Sequence, residues 1–279
     1  MKRDAHTTIV WDRHISTLLA NNPLGDPIER RLPVLLPPGY RDGRRRYPVI
    51  YLLAPFAARG ATLLNDALWQ PQLPERLDAL YAAGMPHVIV VLPDCCTRFG
   101  GSQYLNSSAT GRYADYITEE IIPYIDQHYA THAGAASRGV AGISSGGYGA
   151  LILGMRYPDL FHAVACHSGD MGFDLCYQPD FPKAATLLSL AGGLSAWWQA
   201  FEARRRKEGP DFTALTIVAM AACYSPDPAA LLGLALPFDL ETCTLRDDIW
   251  ARWLANDPLE LIAQAAPALR TLGLLFPIP

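Results

Sequence analysis

Charge is scarce in this sequence. Asp, Glu, Lys and Arg make up 18% of its 279 residues, with 23 basic residues against 27 acidic ones and a net charge of −4. A disordered chain needs more charge and less apolar mass, and half of these residues are hydrophobic. No basic tract is long enough to track a nucleic acid. Arg204-Arg205-Arg206-Lys207, between Glu202 and Glu208, reads as a solvated helix face, and Arg44-Arg45-Arg46 as a solvated turn. No apolar stretch of signal-peptide length follows the N-terminus, and Pro, Gly or charge interrupts every long apolar run short of a membrane span. The six cysteines (95, 96, 166, 176, 223, 243) contain no C-x-x-C pair and no zinc-like or disulfide-framework spacing. These absences lead to the expectation of a cytoplasmic protein with reduced thiols, no metal or organic cofactor, no nucleic-acid partner and no membrane contact.

Short continuous apolar runs stand in that setting. Pro48–Leu53, His87–Leu92, Arg138–Ile143 and Ala163–His167 fit central strands of a mostly parallel sheet covered on both faces. Thr8–Leu18 and Ile28–Leu36 read as two earlier strands, the second near a sheet edge because it holds Pro33. Helical patterns lie between the runs, over Leu63–Ala83, Tyr113–Tyr129 and Ser145–Tyr157. Strand alternating with helix implies right-handed βαβ units, with ligands collecting at the carboxyl ends of the strands. The alternation lapses over 172–253, where Ala185–Phe201 and Thr213–Ala222 look helical. That stretch is expected to form a cap inserted into a single domain spanning 1–279. Asp257-Pro258 opens a further helix through Ala265, and Ala268–Phe276 reads as one more buried strand.

One motif carries chemistry. Gly142-Ile143-Ser144-Ser145-Gly146 matches G-x-S-x-G, follows an apolar strand and runs directly into a helix, the setting of a nucleophile elbow. Such a serine sits on a sharp, strained turn, so small neighbours at 142, 146 and 147 are required. The helix start supplies free amides, and the Ser145 N–H is placed to bind the oxyanion of a tetrahedral intermediate. A second donor is expected from the loop Ala54-Pro55-Phe56-Ala57. Pro55 has no N–H, which leaves Phe56 or Ala57, with Phe56 favoured.

Leu36-Pro37-Pro38-Gly39-Tyr40, Tyr47–Leu53, Val91-Leu92-Pro93-Asp94, Gly142–Gly147 and Tyr157-Pro158-Asp159-Leu160-Phe161 occur here in a fixed order. In this series the chain resembles the esterase family that includes esterase D (S-formylglutathione hydrolase), the enterochelin esterases and the mycolyltransferases. The resemblance covers roughly residues 8 to 276. It implies an α/β-hydrolase fold, helices on both faces of the sheet, and acyl transfer from a small ester or thioester through an acyl-enzyme on Ser144. The acceptor is water or another alcohol.

Two departures from the family stand out. His-Gly is common where this chain has Ala54-Pro55. In relatives the catalytic acid follows the strand corresponding to 268–276 and the histidine follows the acid, so the last strand and helix are expected to be missing here. An inert binding protein that retains the cleft is the alternative, and the uncovered edge would favour a homodimer. Within the chain, only His162 and His167 follow Ser144. A Ser144–His167–Asp170 arrangement is conceivable, and Asp94, Tyr104, His167 and Asp170 are candidates for lining the pocket.

Overall fold

The computed structural model describes residues 6–40, 45–207 and 209–278. Arg44 and Glu208, read above as parts of solvated charge clusters, and Pro279 lie outside them. Seven strands form one sheet: β1 (Thr8–Ile15), β2 (Glu29–Leu36), β3 (Val49–Leu53), β4 (Ile89–Val91), β5 (Arg138–Ile143), β6 (Ala163–His167) and β7 (Leu274–Ile278). Their order is β1-β2-β4-β3-β5-β6-β7. β1, β2 and β4 pair antiparallel in turn, and every pair from β4 to β7 is parallel.

β2 lies second from the edge, paired on both sides, which agrees with a strand near the edge. The Pro33 carbonyl accepts from the Leu92 amide, so its nitrogen also faces β4, at the end of the short Val34–Val91 and Leu35–Val90 ladder. The proline forgoes one donor there, where the pairing with β4 ends.

Helices α1 (Leu73–Ala82), α2 (Ile122–His128) and α3 (Ser145–Arg156) make the crossovers. α3 is buried along nearly its whole length. Gly149 and Gly154 bring it onto Tyr104 and Val164, closer than a Cβ would allow. The 172–253 stretch is helical, with α4 (Phe181–Leu190), α5 (Leu194–Ala203), α6 (Gly209–Tyr224) and α7 (Asp247–Leu254). The expected single helix over 185–201 is two, because Gly192 and Gly193 take φ of +87° and +100° at the break. α6 is apolar on every side and is sheathed accordingly. Its buried residues share one core with Phe99, Leu105 and the outer side of α3 at Tyr148, Leu151 and Ile152. The 172–253 stretch therefore forms a third layer on α3.

Arg204–Lys207 is not a helix face. α5 stops at Ala203, and Lys207 turns back to donate to the carbonyls of Phe201 and Arg204 while Arg204 pairs with Asp211 at 2.5 Å. Cations at the carbonyl end of a helix complement its dipole.

α8 (Pro258–Thr271) runs past Ala265 and through Pro267 and packs on α3, so residues 268–271 are helical instead of opening the strand. β7 is fully paired to β6 but exposed, not buried. Strand alternation puts Ile143, Leu274, Phe276 and Ile278 on the face opposite α3. They are 38–53% accessible, with no covering element among the described residues.

No described helix is long and apolar enough to cross a membrane. All six cysteines are free thiols.

Candidate active site

Ser144 stands where β5 turns into α3, with φ 53° and ψ −126°. This combination is costly for a residue with a Cβ, by about 1–3 kcal/mol, and persists only where the surroundings over-determine it. They do so here. The Ser144 amide donates to the His167 carbonyl at 2.9 Å, and its carbonyl accepts from Tyr148 at 2.9 Å. A Cβ on Gly142 would overlap the Gly146 backbone. One on Gly146 would overlap the Leu53 carbonyl and stand 2.8 Å from that of Ala54, and one on Gly147 would stand 2.7 Å from the His167 carbonyl. The elbow is thus wedged between the ends of β3 and β6, and at each of the three glycines the neighbouring backbone lies too close for a side chain.

The wedge brings the start of α3 against the loop after β3. In that loop the Ala57 amide is taken by the Gly100 carbonyl at 3.0 Å, and the Ala58 amide bonds Pro55. The Phe56 amide has no acceptor among the described residues, nor has that of Ser145 at the first turn of α3. Two donors without an acceptor among the described residues therefore flank the Ser144 turn. The Phe56 ring packs on Gly100 and Gly101 and meets Phe212 of α6 edge-on at 5.5 Å, which ties the loop to the 172–253 stretch.

The other sequence candidates separate. Tyr104 is a strut: its hydroxyl donates to the Ala54 carbonyl at 2.6 Å, burial pushes its pKa well up, and its ring fills the notch left by Gly149. Asp94 is buried further along the rim, held by Arg59 at 2.7 Å and by the Cys96 amide. Asp170 accepts from Tyr177 at 2.8 Å, and from Gln103 and the Ser145 hydroxyl at 3.1 Å each. It braces Ser145, the residue after Ser144, and makes no bond to His167. The His167 side chain is exposed, pairs in register with Ile143 and faces away from α3. Among the described residues no imidazole or carboxylate hydrogen-bonds the Ser144 hydroxyl.

Sequence reasoning missed the polar knot beneath the elbow. Gln103, buried and left-handed at φ 48°, also donates to Tyr224 at 2.9 Å. Burial raises the pKa of Tyr177 and Tyr224 well above 10, so both stay neutral donors. Asp257 was read only as a cap for α8. It also accepts from the Gly172 and Phe173 amides at 2.9 and 2.6 Å, and nothing local signals those contacts.

A mostly parallel sheet with helices, and a strained serine on a glycine-cleared turn between strand and helix, define an α/β-hydrolase fold. The chain belongs to the family described as "Putative esterase", whose model matches residues 27–277. Esterase Rv1288 of Mycobacterium tuberculosis is 31% identical over 213 residues, which are 70% of this chain and 43% of that protein. The protein YbbA of Bacillus subtilis is 28% identical over 157 residues, 52% of this chain and 58% of its own length. The chain thus spans about half the length of these curated relatives. Among solved structures, the fluorophosphonate-binding serine hydrolase FphF of Staphylococcus aureus superposes with a TM-score of 0.55 at 16% identity, covering 97% of this chain and 78% of that one. A ferulic acid esterase gives 0.51 at 18% identity, covering 98% and 90%. Both show the shared fold.

Proposed function

We propose that the chain is a serine carboxylic ester hydrolase that forms an acyl-enzyme on Ser144. One observation carries the reading: the serine is held in a strained backbone state by glycine-cleared contacts to two neighbouring strands. Ser144 attacks the carbonyl of a small ester or thioester, and the amides of Ser145 and Phe56 receive the developing oxyanion. Asp170 fixes the Ser145 side chain and so the first turn of α3.

Attack also needs a proton acceptor at the serine oxygen. That no described side chain bonds this oxygen favours a second reading, a homologue that keeps the cleft for binding without turnover. Transfer of the acyl group to an alcohol uses the same intermediate, and competing alcohol acceptors would reveal it in the products.

The test pairs short-chain p-nitrophenyl ester hydrolysis with covalent labelling by a fluorophosphonate, on this chain and its Ser144→Ala variant. Turnover and labelling that both vanish in the variant are expected of the esterase. A folded chain with neither turnover nor labelling supports the binding homologue, and labelling without turnover keeps the nucleophile and points to a different acyl substrate. Hydrolysis that survives in Ser144→Ala refutes the nucleophile.

A further inference from the structure

Three strand positions along the rim from Ser144, arginines gather round a cavity of about 400 Å³. Arg13, Arg30, Arg31 and Arg59 line it, against two carboxylates, Glu29 and Asp94. Arg13 is paired with Glu29 at 2.5 Å and Arg59 with Asp94 at 2.7 Å. The buried Asp26 carboxylate acts on the Arg30 charge, which leaves Arg31 as the cation of this lining with no carboxylate opposite it among the described residues.

Two further observations bear on the cavity. Arg30 is 2% accessible and projects to the other face of β2 from Arg31, where the Cys96 carbonyl at 2.8 Å and the Tyr113 hydroxyl at 2.6 Å hold it, so it lends the cavity positive potential and no direct contact. Arg13 and Arg31 lie directly opposite each other across the β1–β2 ladder. Like charges in that position repel, and an anion between them reverses the sign. A second cavity of about 320 Å³ shares both residues and adds the exposed indole of Trp11.

We infer that this cavity is an anion subsite, in which Arg13, Arg31 and Arg59 take a carboxylate or phosphate group. Three spacings of about 4.8 Å place it roughly 14 Å along the rim from the nucleophile. Arg59 lies three residues after Phe56, on the loop that holds the oxyanion donor. The ester cleaved at Ser144 would then carry an acidic group at its far end. As a substrate subsite the inference rests on the esterase reading; as an anion site it stands without it.

The test titrates inorganic phosphate and succinate, each by calorimetry, into the intact chain and into its Ser144→Ala and Arg31→Ala variants at low and physiological ionic strength. Saturable binding is expected in the parent and in Ser144→Ala. Arg31→Ala, at an exposed position, is expected to weaken it about tenfold or more, the loss of one charge-assisted contact. Preference for phosphate or for succinate identifies which acid the site takes. Absence of saturable binding, or binding that Arg31→Ala leaves unchanged, overturns the site. Phosphate or succinate bound through Arg31 by a chain that hydrolyses no ester would refute the catalytic reading and leave the anion site standing.

Discussion

Asp257→Ala should be among the most destabilising single changes in the molecule. The carboxylate is buried and accepts three backbone amides, from Leu259 at the first turn of α8 and from Gly172 and Phe173, more than eighty residues earlier. Losing the Leu259 bond costs about 1 kcal/mol, the usual value of a cap, because that amide is near solvent. The other two amides would lose a charged acceptor, at about 1.5–3 kcal/mol each. Water can reach the Gly172 amide more easily than that of Phe173, whose side chain is fully buried. The total is about 4 kcal/mol, which lowers the melting temperature by about 10 °C in a domain of this size. Asp257→Asn keeps one acceptor oxygen and should lose about half as much. Scanning calorimetry of the three proteins measures both effects. A fall below about 3 °C for the alanine variant would refute the reasoning, since a cap alone accounts for that much.

The parts of the fold legible in the sequence are those with local causes. The continuous apolar runs at 48–53 and 138–143 became central strands, as side chains packed on both sides of a sheet require, whereas 163–167 became a strand with only Val164 and Cys166 buried and its other face open. The elbow was legible because strain at Ser144 requires glycines within a few positions of it. Phe56 over Ala57 could be favoured from the sequence only through the missing N–H of Pro55, whereas the structure separates the two by where the Ala57 amide goes. Illegible features have distant partners. Gln103 meets Asp170 and Tyr224 across 67 and 121 residues, and Arg30 meets Cys96 and Tyr113 across 66 and 83. Helix ends were misplaced for a third reason. Pro267 and the Arg204–Lys207 run are ambiguous signals, settled by whether α3 or solvent lies beside them.

Two further perturbations test the edges of the sheet. Glu120 is partly buried, which raises its pKa, but hydrogen bonds from Ser16, Thr17 and Leu18 outweigh burial and hold it below the ordinary 4.5. A folded pKa below the unfolded one gives stability that is complete above about pH 5 and lost as pH falls through the folded value. Glu120→Gln should therefore unfold at lower urea at pH 7 and lose less on going to pH 4; equal losses in variant and parent would refute this. The second concerns β7, whose outer side has no strand partner among the described residues. The Leu274 amide donates to His162 and the Ile278 carbonyl accepts from Ser168, so even-numbered residues turn their backbone towards β6 and odd-numbered ones towards the free edge. Pro277 occupies an outward position and has no N–H to offer. A proline there blunts an edge that would otherwise template pairing with a second copy. Contact between copies would instead use the uncovered face of Ile143, Leu274, Phe276 and Ile278. Pro277→Val restores the outward donor without removing apolar surface, and Phe276→Ser removes apolar surface without touching the edge. Sedimentation across a concentration series should show Pro277→Val associating at lower concentration than the parent, and Phe276→Ser at higher concentration. If Pro277→Val sediments as the parent does at every concentration, the proline is not what keeps the edge closed.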